Sequence, residues 1–336
     1  MGFATRLRRP LLVATLLSIA TPVSASDWFA TAPPPPMSTA ATTDYSTGEP
    51  LRPVASSLQQ EPLYRLQPFN PDLTHADRRQ AQLFLGTSVG LVLLYGASQW
   101  WDDGLNSTFH SEKEGWFSQH TVEGGADKLG HFYSAYAGTR VVTRVMEWMG
   151  DDHDTALAVG MVAAAGTLSL VEVIDGFSEK YSFSHEDLLM GLGGAVLGWF
   201  AETHPAIDEK FDFRFYYWPS DYARDNDKID PFGDYSGQKY FFVTKASGFD
   251  ATRSHPLLHY LELVVGYGAR NYETNADDEP TRSFYYGVSL NLTEVLRHTA
   301  FKNDKPRSNT AQWTGMALEL WQPPGSVVFA RHNLSR

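Results

Sequence analysis

The sequence predicts an α+β protein in which a four-helix core unit is followed by an antiparallel sheet of about five or six strands. Two observations support this fold class. Residues 76–205 contain long, apolar segments with few charges, whereas residues 206–336 alternate apolar and polar side chains. The first pattern is typical of packed helices, and a period of two is typical of strands.

Composition excludes several classes of protein. The 336 residues include 27 Lys and Arg, 39 Asp and Glu and no Cys, for a net charge of -12. An acidic chain does not neutralise a phosphate backbone, so no nucleic-acid partner is expected. Without cysteine there is no disulfide scaffold, thiolate metal site, cysteine nucleophile or lipidated cysteine. A mean hydropathy of -0.30 argues against an ordinary polytopic inner-membrane protein.

Residues 1–25 are typical of a secretory signal peptide. Arg6, Arg8 and Arg9 precede the apolar run Leu11–Ile19, and Val23–Ala25 resembles a small-residue cleavage site. The alternative is an N-terminal membrane anchor, for which the apolar run is short. We therefore expect an exported protein, located in the periplasm or outer membrane of a Gram-negative bacterium.

Residues 26–75 are predicted to form a disordered tether. The segment is rich in Pro, Ser and Thr and contains the run Pro33–Pro36. It has too few apolar residues to offset the entropy lost on ordering. The alternative is a polyproline segment that binds a partner.

Four helices are predicted at about residues 77–101, 127–149, 154–175 and 185–202. The first has no charged residue from Ala81 to Trp101, a length sufficient to cross a bilayer. Each helix carries small residues four apart, which allow close backbone approach; the pairs are Gly86 and Gly90, Ser134 and Gly138, Gly160 and Ala164, and Gly194 and Gly198. The spacing fits a membrane bundle or a tightly packed soluble bundle. Because long apolar helices impede export, we favour partly buried helices over true spans.

The strands are predicted from alternating segments. These are Phe211–Tyr217, Lys239–Ala246, Leu261–Tyr267, Phe284–Leu292, Met316–Leu320 and Val327–Ala330, with a polar hairpin loop over Asn271–Thr281. Alternation predicts one solvated face, on which Ser289 and Asn291 lie opposite Tyr286 and Val288. Five or six strands are too few for a closed outer-membrane barrel. The sheet is expected to pack on the helices, or to lie open against a membrane.

Several residues that are capable of chemistry are predicted to meet at one end of the helices. Asp127 starts the second helix and His131 follows on the same face, while Glu172 and Asp175 end the third helix. Ser184 is a candidate cap of the fourth helix, with an acid three residues later. If the second and third helices are antiparallel, the cluster comprises Asp127, Lys128, His131, Glu172, Asp175 and Asp187.

This cluster allows three interpretations. Asp127, His131, Glu172, Asp175 and Asp187 are candidate acid–base catalytic residues, supported by Lys128 and Ser184. His131, Glu172 and Asp175 are candidate ligands of a divalent metal, although no cofactor is certain. The third interpretation is a structural network in which Lys128 pairs with Asp175 or Glu172.

The motifs resemble a known family. The run Ala126–His131, then Glu172 with Asp175-Gly176, then Ser182-Phe183-Ser184 with Asp187 resembles the YfiM-like proteins, a domain of unknown function (2279). The resemblance covers about residues 80–205, and the strand Tyr286–Leu292 also looks like a later portion of that family. The family is described as predicted periplasmic lipoproteins, which implies an envelope location and no particular reaction. This chain departs from that description because no cysteine follows its signal peptide. A fainter similarity is to VanZ-like membrane proteins.

The sequence supports three functional hypotheses. The first is a membrane-associated accessory or scaffold protein of the cell envelope without its own catalysis. The second is a metal-dependent or acid–base enzyme that acts on an envelope lipid or glycan, and the third is a glycan-binding module. Expected partners are membrane or envelope components, and unpaired sheet edges would allow a homo-oligomer.

Overall fold

The computed structural model describes residues 77–226, 229–272, 279–302 and 308–334. The predicted signal peptide and tether lie outside these residues, as does the middle of the predicted hairpin loop. Within them, a run of helices precedes a five-stranded antiparallel sheet, which confirms the predicted α+β class.

Four long helices form the first half of the described chain. They are α1 (Arg78–Gln99), α2 (Ala126–Trp148), α3 (His153–Asp175) and α4 (His185–Thr203). Side-chain oxygens of Asp77, Asp152 and Ser184 cap α1, α3 and α4 by accepting otherwise unpaired backbone N–H groups. Helix α2 begins after Gly125, whose φ of +86° is a left-handed conformation that glycine adopts without strain.

Helix α2 packs between α3 and α4, and glycines bring the backbones together. A Cβ atom on Gly194 of α4 would lie 1.9 Å from the carbonyl oxygen of Phe132, and one on Gly160 of α3 would lie 2.4 Å from Thr143 Oγ1. The predicted pair Gly86 and Gly90 in α1 differs, because nothing lies within 4 Å of either position. Helix α1 is peripheral and contacts α3 through a small apolar cluster.

The main sheet has five strands that lie side by side in the order of the chain, with every neighbouring pair antiparallel. Its strands are β3 (Phe211–Tyr217), β4 (Gln238–Lys245), β5 (Leu261–Arg270), β6 (Thr281–Leu290) and β7 (Val327–Asn333). A two-residue parallel pair, β1 (Ser111–Glu112) and β2 (Phe183–Ser184), precedes α4. The short helices are α5 (Pro205–Asp208), α6 (Asp221–Asp225), α7 (Asp250–Arg253), α8 (Leu292–His298) and α9 (Asn309–Leu320).

The predicted strand at Met316–Leu320 is wrong, because these residues end helix α9. Ser308 caps this helix by accepting the backbone N–H of Ala311. Gln312, Met316 and Glu319 are buried at helical spacing, so the alternation of three apolar residues was coincidental. The predicted strand that ended at Leu292 instead ends at Leu290, and α8 follows.

The sheet curls until its first and last strands approach each other. The rings of Tyr216 in β3 and Phe329 in β7 are 5.9 Å apart. In a flat sheet, four spacings of about 4.8 Å would separate these strands by roughly 19 Å. The curled sheet therefore encloses its own core, in which Phe241, Val264 and Tyr285 are buried.

The prediction that polar residues occupy the solvated face of the sheet is wrong. Ser289 and Asn291 are each 2% exposed, and Ser289 lies on the concave face with Glu262. Tyr286 and Val288 point outward and are 55% and 44% exposed. The concave face therefore holds buried polar groups beside its apolar core, while the outward face carries exposed apolar side chains.

We expect Gly194→Ala to lower the free energy of unfolding by about 1–3 kcal/mol, because the added methyl group must displace the backbone of α2. Gly166→Ala is the matched control: it lies in α3, nothing lies within 4 Å of its Cβ position, and alanine favours helices over glycine by up to about 1 kcal/mol. Chemical unfolding followed by circular dichroism measures both. Equal effects of the two substitutions would contradict close α2–α4 packing.

Candidate functional site

The ammonium group of Lys128 is the centre of a buried cluster at the start of α2. Lys128 is 0% exposed, and its Nζ donates to Asp127 Oδ2 at 2.8 Å, to Asp187 Oδ2 at 3.0 Å and to the carboxylate of Glu114. The predicted partners Glu172 and Asp175 are not among the ion pairs of Lys128 in the described part of the chain. The lysine thus joins the start of α2, the start of α4 and the loop that precedes α2.

Local structure places the acidic side chains. Asp127 and Lys128 occupy the first turn of α2, and Asp187 the first turn of α4, where the helix dipole favours a negative charge. Ser184 Oγ accepts the backbone N–H of Asp187 at 3.2 Å, as expected from its capping position. The backbone N–H of Ser184 donates to Glu172 Oε2 at 3.1 Å. Ser184 therefore caps α4 and also holds the carboxylate of Glu172 at the end of α3.

His131 lies one turn after Asp127 and faces the end of α3. Its Nδ1 is 3.3 Å from Glu172 Oε1, but the pair lacks hydrogen-bond geometry. Among the described residues, His131 Nδ1, Asp127 Oδ1 and Asp187 Oδ1 are buried without a hydrogen-bond partner. Such atoms are rare in folded proteins, because desolvation without a partner is costly.

Asp175 lies at the edge of this cluster. Its Oδ1 accepts a hydrogen bond of 2.6 Å from the indole Nε1 of Trp101, which follows α1. The sequence placed Asp175 with His131 and Glu172 as a metal ligand. In the structure, the acid that joins those two residues is Asp187.

Burial, together with repulsion between neighbouring carboxylates, shifts the pKa values of the acidic side chains in the cluster. Burial, with the nearby charge of Asp187, raises the pKa of Asp127 to about 7 and that of Glu172 to about 9. Burial also raises the pKa of Asp175 to about 7, against the hydrogen bond from Trp101. Burial lowers the pKa of His131 to about 4, and the charge of Lys128 acts in the same direction. His131 is therefore neutral at pH 7.

The excess of carboxyl groups over cations defines what this site can do. Two groups of side chains have ligand atoms within 4.8 Å of one another, and both contain Asp187: one adds His131 and Glu172, the other Glu114 and Asp127. Lys128 already supplies one positive charge to the second group. Glu114 was missed in the sequence because it lies in a loop, where neither periodicity nor a motif marks it.

Other ionised groups are buried in the helical and sheet interiors. Arg140 in α2 donates to Glu202 at 2.9 Å and to Asp208 at 2.9 Å. In the sheet, Arg214 donates to Glu262 at 2.8 Å and also pairs with Asp212. These charges are satisfied by partners, as buried charges must be.

The outward side of the sheet is apolar and exposed. We call this the outer face; it consists of Phe242, Leu263, Val265, Phe284, Tyr286, Val288, Leu290 and Val328. Its members are cross-strand neighbours: Val265 pairs with Phe242 on one side and Tyr286 on the other, and Val288 pairs with Leu263 and Val328. The exposed fractions of Leu263 and Val265 are 62% and 55%. A contiguous apolar patch of this kind marks a contact surface.

A cavity of about 270 Å³ lies apart from the Lys128 cluster, between β4, α8 and α9. Its lining includes the cations Lys245 and Arg297, but these pair with Asp212 and Glu294 respectively. The cavity therefore offers little free charge for a ligand.

We expect Lys128→Met to lower the free energy of unfolding by about 3–5 kcal/mol, because it leaves buried carboxylates without their counter-ion. Lys180→Met, at an exposed position, is the control and should change the free energy by less than about 0.5 kcal/mol. Thermal and denaturant unfolding test both. A small loss for Lys128→Met would mean that the carboxylates are neutral in the folded protein.

His153 gives a pH-dependent prediction. Its Nδ1 lies 2.6 Å from Glu147 Oε1, and this hydrogen bond raises the pKa of His153 above its ordinary value. A raised histidine pKa contributes stability that is present below about pH 6.5 and lost as the pH rises through the folded-state pKa. The free energy of unfolding of His153→Gln should fall below that of the natural protein by about 0.5–1 kcal/mol at pH 6, and the two should converge above pH 8. A deficit that grows with pH would contradict this pairing.

Comparison with known proteins adds one finding. Residues 113–203 match the family model of predicted periplasmic lipoproteins, a domain of unknown function (2279). No curated protein and no solved structure matches the chain. The similarity to VanZ-like proteins and the likeness of strand β6 to the family therefore stay predictions. Over the segment that holds every residue of the Lys128 cluster, Glu114 included, this chain resembles the predicted periplasmic lipoproteins, and the resemblance predicted from its motifs is confirmed there.

Proposed function

We propose that this protein is an exported accessory or scaffold protein of the cell envelope that attaches to a membrane by burying its outer face in lipid. The description of the matched family supports an exported, periplasmic protein. The membrane contact and the scaffold role are our proposal, and the outer face is the observation that carries it.

The outer face differs from the solvated face of a soluble sheet, because it is apolar although the inner face also holds an apolar core. In a sheet with one face in water, polar side chains point outward and apolar ones inward. Here the two longest strands, β5 and β6, direct Leu263, Val265 and Tyr286 outward, while Glu262 and Ser289 are buried. Apolar-out and polar-in alternation is typical of strands that contact lipid.

The helices also have apolar surfaces. Helices α1 and α3 are long and apolar enough to cross a membrane by length and composition, which alone is weak evidence. Helix α4 adds an exposed stripe of Leu189, Leu192, Val196 and Trp199, at the spacing of one helix face. Charged residues of α2 and α4 such as Arg140 and Glu202 are instead buried. Lipid contact, rather than a full crossing of the bilayer, is sufficient to account for these exposed side chains.

We expect attachment through the protein's own surface and not through a lipidated cysteine. The chain contains no cysteine, so nothing in it can carry the thioether-linked lipid of a lipoprotein. The periplasmic side of a Gram-negative outer membrane is the location that we propose, because an exported protein with a lipid-binding face would meet that surface.

A vesicle flotation experiment tests membrane attachment. We expect the purified protein to float with vesicles of phosphatidylethanolamine and phosphatidylglycerol in high salt, which weakens purely electrostatic binding. The double variant Leu263→Glu with Tyr286→Glu should reduce the floating fraction at least about fivefold, because each new charge must enter lipid. Its free energy of unfolding in mild detergent should stay within about 1 kcal/mol, since both side chains are exposed.

The matched control is Ser254→Glu with Thr310→Glu. It adds the same charge at exposed positions outside the outer face, and it should float like the natural protein. Failure of the natural protein to float, or equal loss of flotation in both double variants, would refute attachment through the outer face.

Acid–base catalysis on an envelope lipid or glycan is a second candidate function. Asp127 and Asp175 have pKa values raised to about 7, where a carboxyl group both gives and takes protons at neutral pH. Envelope lipids and glycans incubated with the protein and profiled by mass spectrometry test this function. A product formed by the natural protein and absent with Asp175→Asn would support it.

A further inference from the structure

We propose that His131, Glu172 and Asp187 form a binding site for one divalent transition-metal ion, such as Zn²⁺ or Mn²⁺. This inference is independent of membrane attachment, since the three side chains lie at the junction of α2, α3 and α4 and not on the outer face. It rests on ligand spacing, unpartnered buried atoms and the distribution of charge.

The spacing fits a single ion. Each of the three side chains offers a ligand atom within 4.8 Å of the other two. An ion equidistant from three atoms that are each 4.8 Å apart lies about 2.8 Å from every one of them, and closer atoms allow shorter bonds. Metal–ligand distances of about 2.0–2.4 Å are therefore reached with small side-chain movements.

The unpartnered atoms point to a missing positive partner. Asp187 is 4% exposed and uses Oδ2 for Lys128, while its Oδ1 is buried without a hydrogen-bond partner among the described residues. The Nδ1 atom of His131 is likewise buried and lacks such a partner, although Glu172 Oε1 is only 3.3 Å away. A cation between these side chains would satisfy all three, because each would supply a lone pair.

Lys128 distinguishes the proposed metal ligands from the neighbouring group of Glu114, Asp127 and Asp187. Its ammonium donates to Glu114, Asp127 and Asp187, so it takes the place of a cation there. His131, Glu172 and the second oxygen of Asp187 have no lysine or arginine partner in the described ranges. The lysine and the metal would share Asp187, one on each carboxylate oxygen.

The chemistry of the ligands selects the class of metal. One imidazole with two carboxylates is a mixed set that suits Zn²⁺ or Mn²⁺ better than Ca²⁺, which prefers oxygen ligands only. Ser184 positions one of the ligands, because its backbone N–H donates to Glu172 Oε2, as outer-sphere groups commonly do; its Oγ accepts the backbone N–H of Asp187. The His131 side chain is 20% exposed, which leaves a route for the ion.

Metal analysis of the full chain tests the site. The protein is stripped with a chelator, exposed to Zn²⁺ or Mn²⁺, desalted and measured by elemental analysis and by titration calorimetry. We expect one ion per chain, a rise of several degrees in the midpoint of thermal unfolding, and binding at least tenfold weaker in His131→Gln and Asp187→Asn.

One control variant separates this site from other acidic groups. Glu319→Gln alters a buried carboxyl group in the Arg140 network and should bind like the natural protein. Absence of bound metal in the natural protein, or binding unchanged in His131→Gln and Asp187→Asn, would overturn the proposal. If one ligand variant fails to fold, the other ligand variant locates the ion, and absence of bound metal in the natural protein still overturns the proposal.

Discussion

Burial of charge is the constraint on which the rest of this structure depends. Lys128 and its three carboxylates hold the starts of α2 and α4 together, and Arg214 performs a similar role inside the curled sheet. A buried ion pair gains little net stability, but an unpaired buried charge is very costly. The helices and strands therefore have few arrangements in which every charged side chain finds its partner, and the fold is specified by that requirement.

The position of the charges also explains the outer surface. Side chains such as Arg140 and Glu262 occupy part of the interior, beside buried apolar residues such as Val264. The apolar residues of the outward sheet positions and of α4 are correspondingly left outside. Apolar side chains on the surface are unfavourable in water, and contact with lipid would remove them from water. The buried charged side chains and the exposed apolar side chains thus belong to one arrangement of the same chain.

Much of the fold was readable from local patterns. The four long helices and the strand β3 follow directly from apolar runs and alternation, because their caps and periodicities lie within each segment. The end of α9 was not readable, since Met316, Leu318 and Leu320 alternate by chance and the burial that selects a helix comes from tertiary contacts. Alternation also gives two faces without stating which one is inside. The curl of the sheet, a long-range property, decides that Ser289 is buried and Tyr286 exposed.

The sequence predicted which residues belong to the Lys128 cluster better than it predicted which of them form ion pairs. Helical spacing brought Asp127 and His131 onto one face, and the order of the helices brought Glu172 and Asp187 near them. Which carboxylate meets Lys128 depends on side-chain geometry across three segments, including the loop of Glu114, and no sequence spacing encodes it. That geometry has a chemical consequence: Lys128 bonds to Asp187 Oδ2, Asp187 Oδ1 has no hydrogen-bond partner among the described residues, and Asp187 lies within ligand distance of His131 and Glu172. A single acid therefore divides the cluster into a structural half and a half suited to a metal ion.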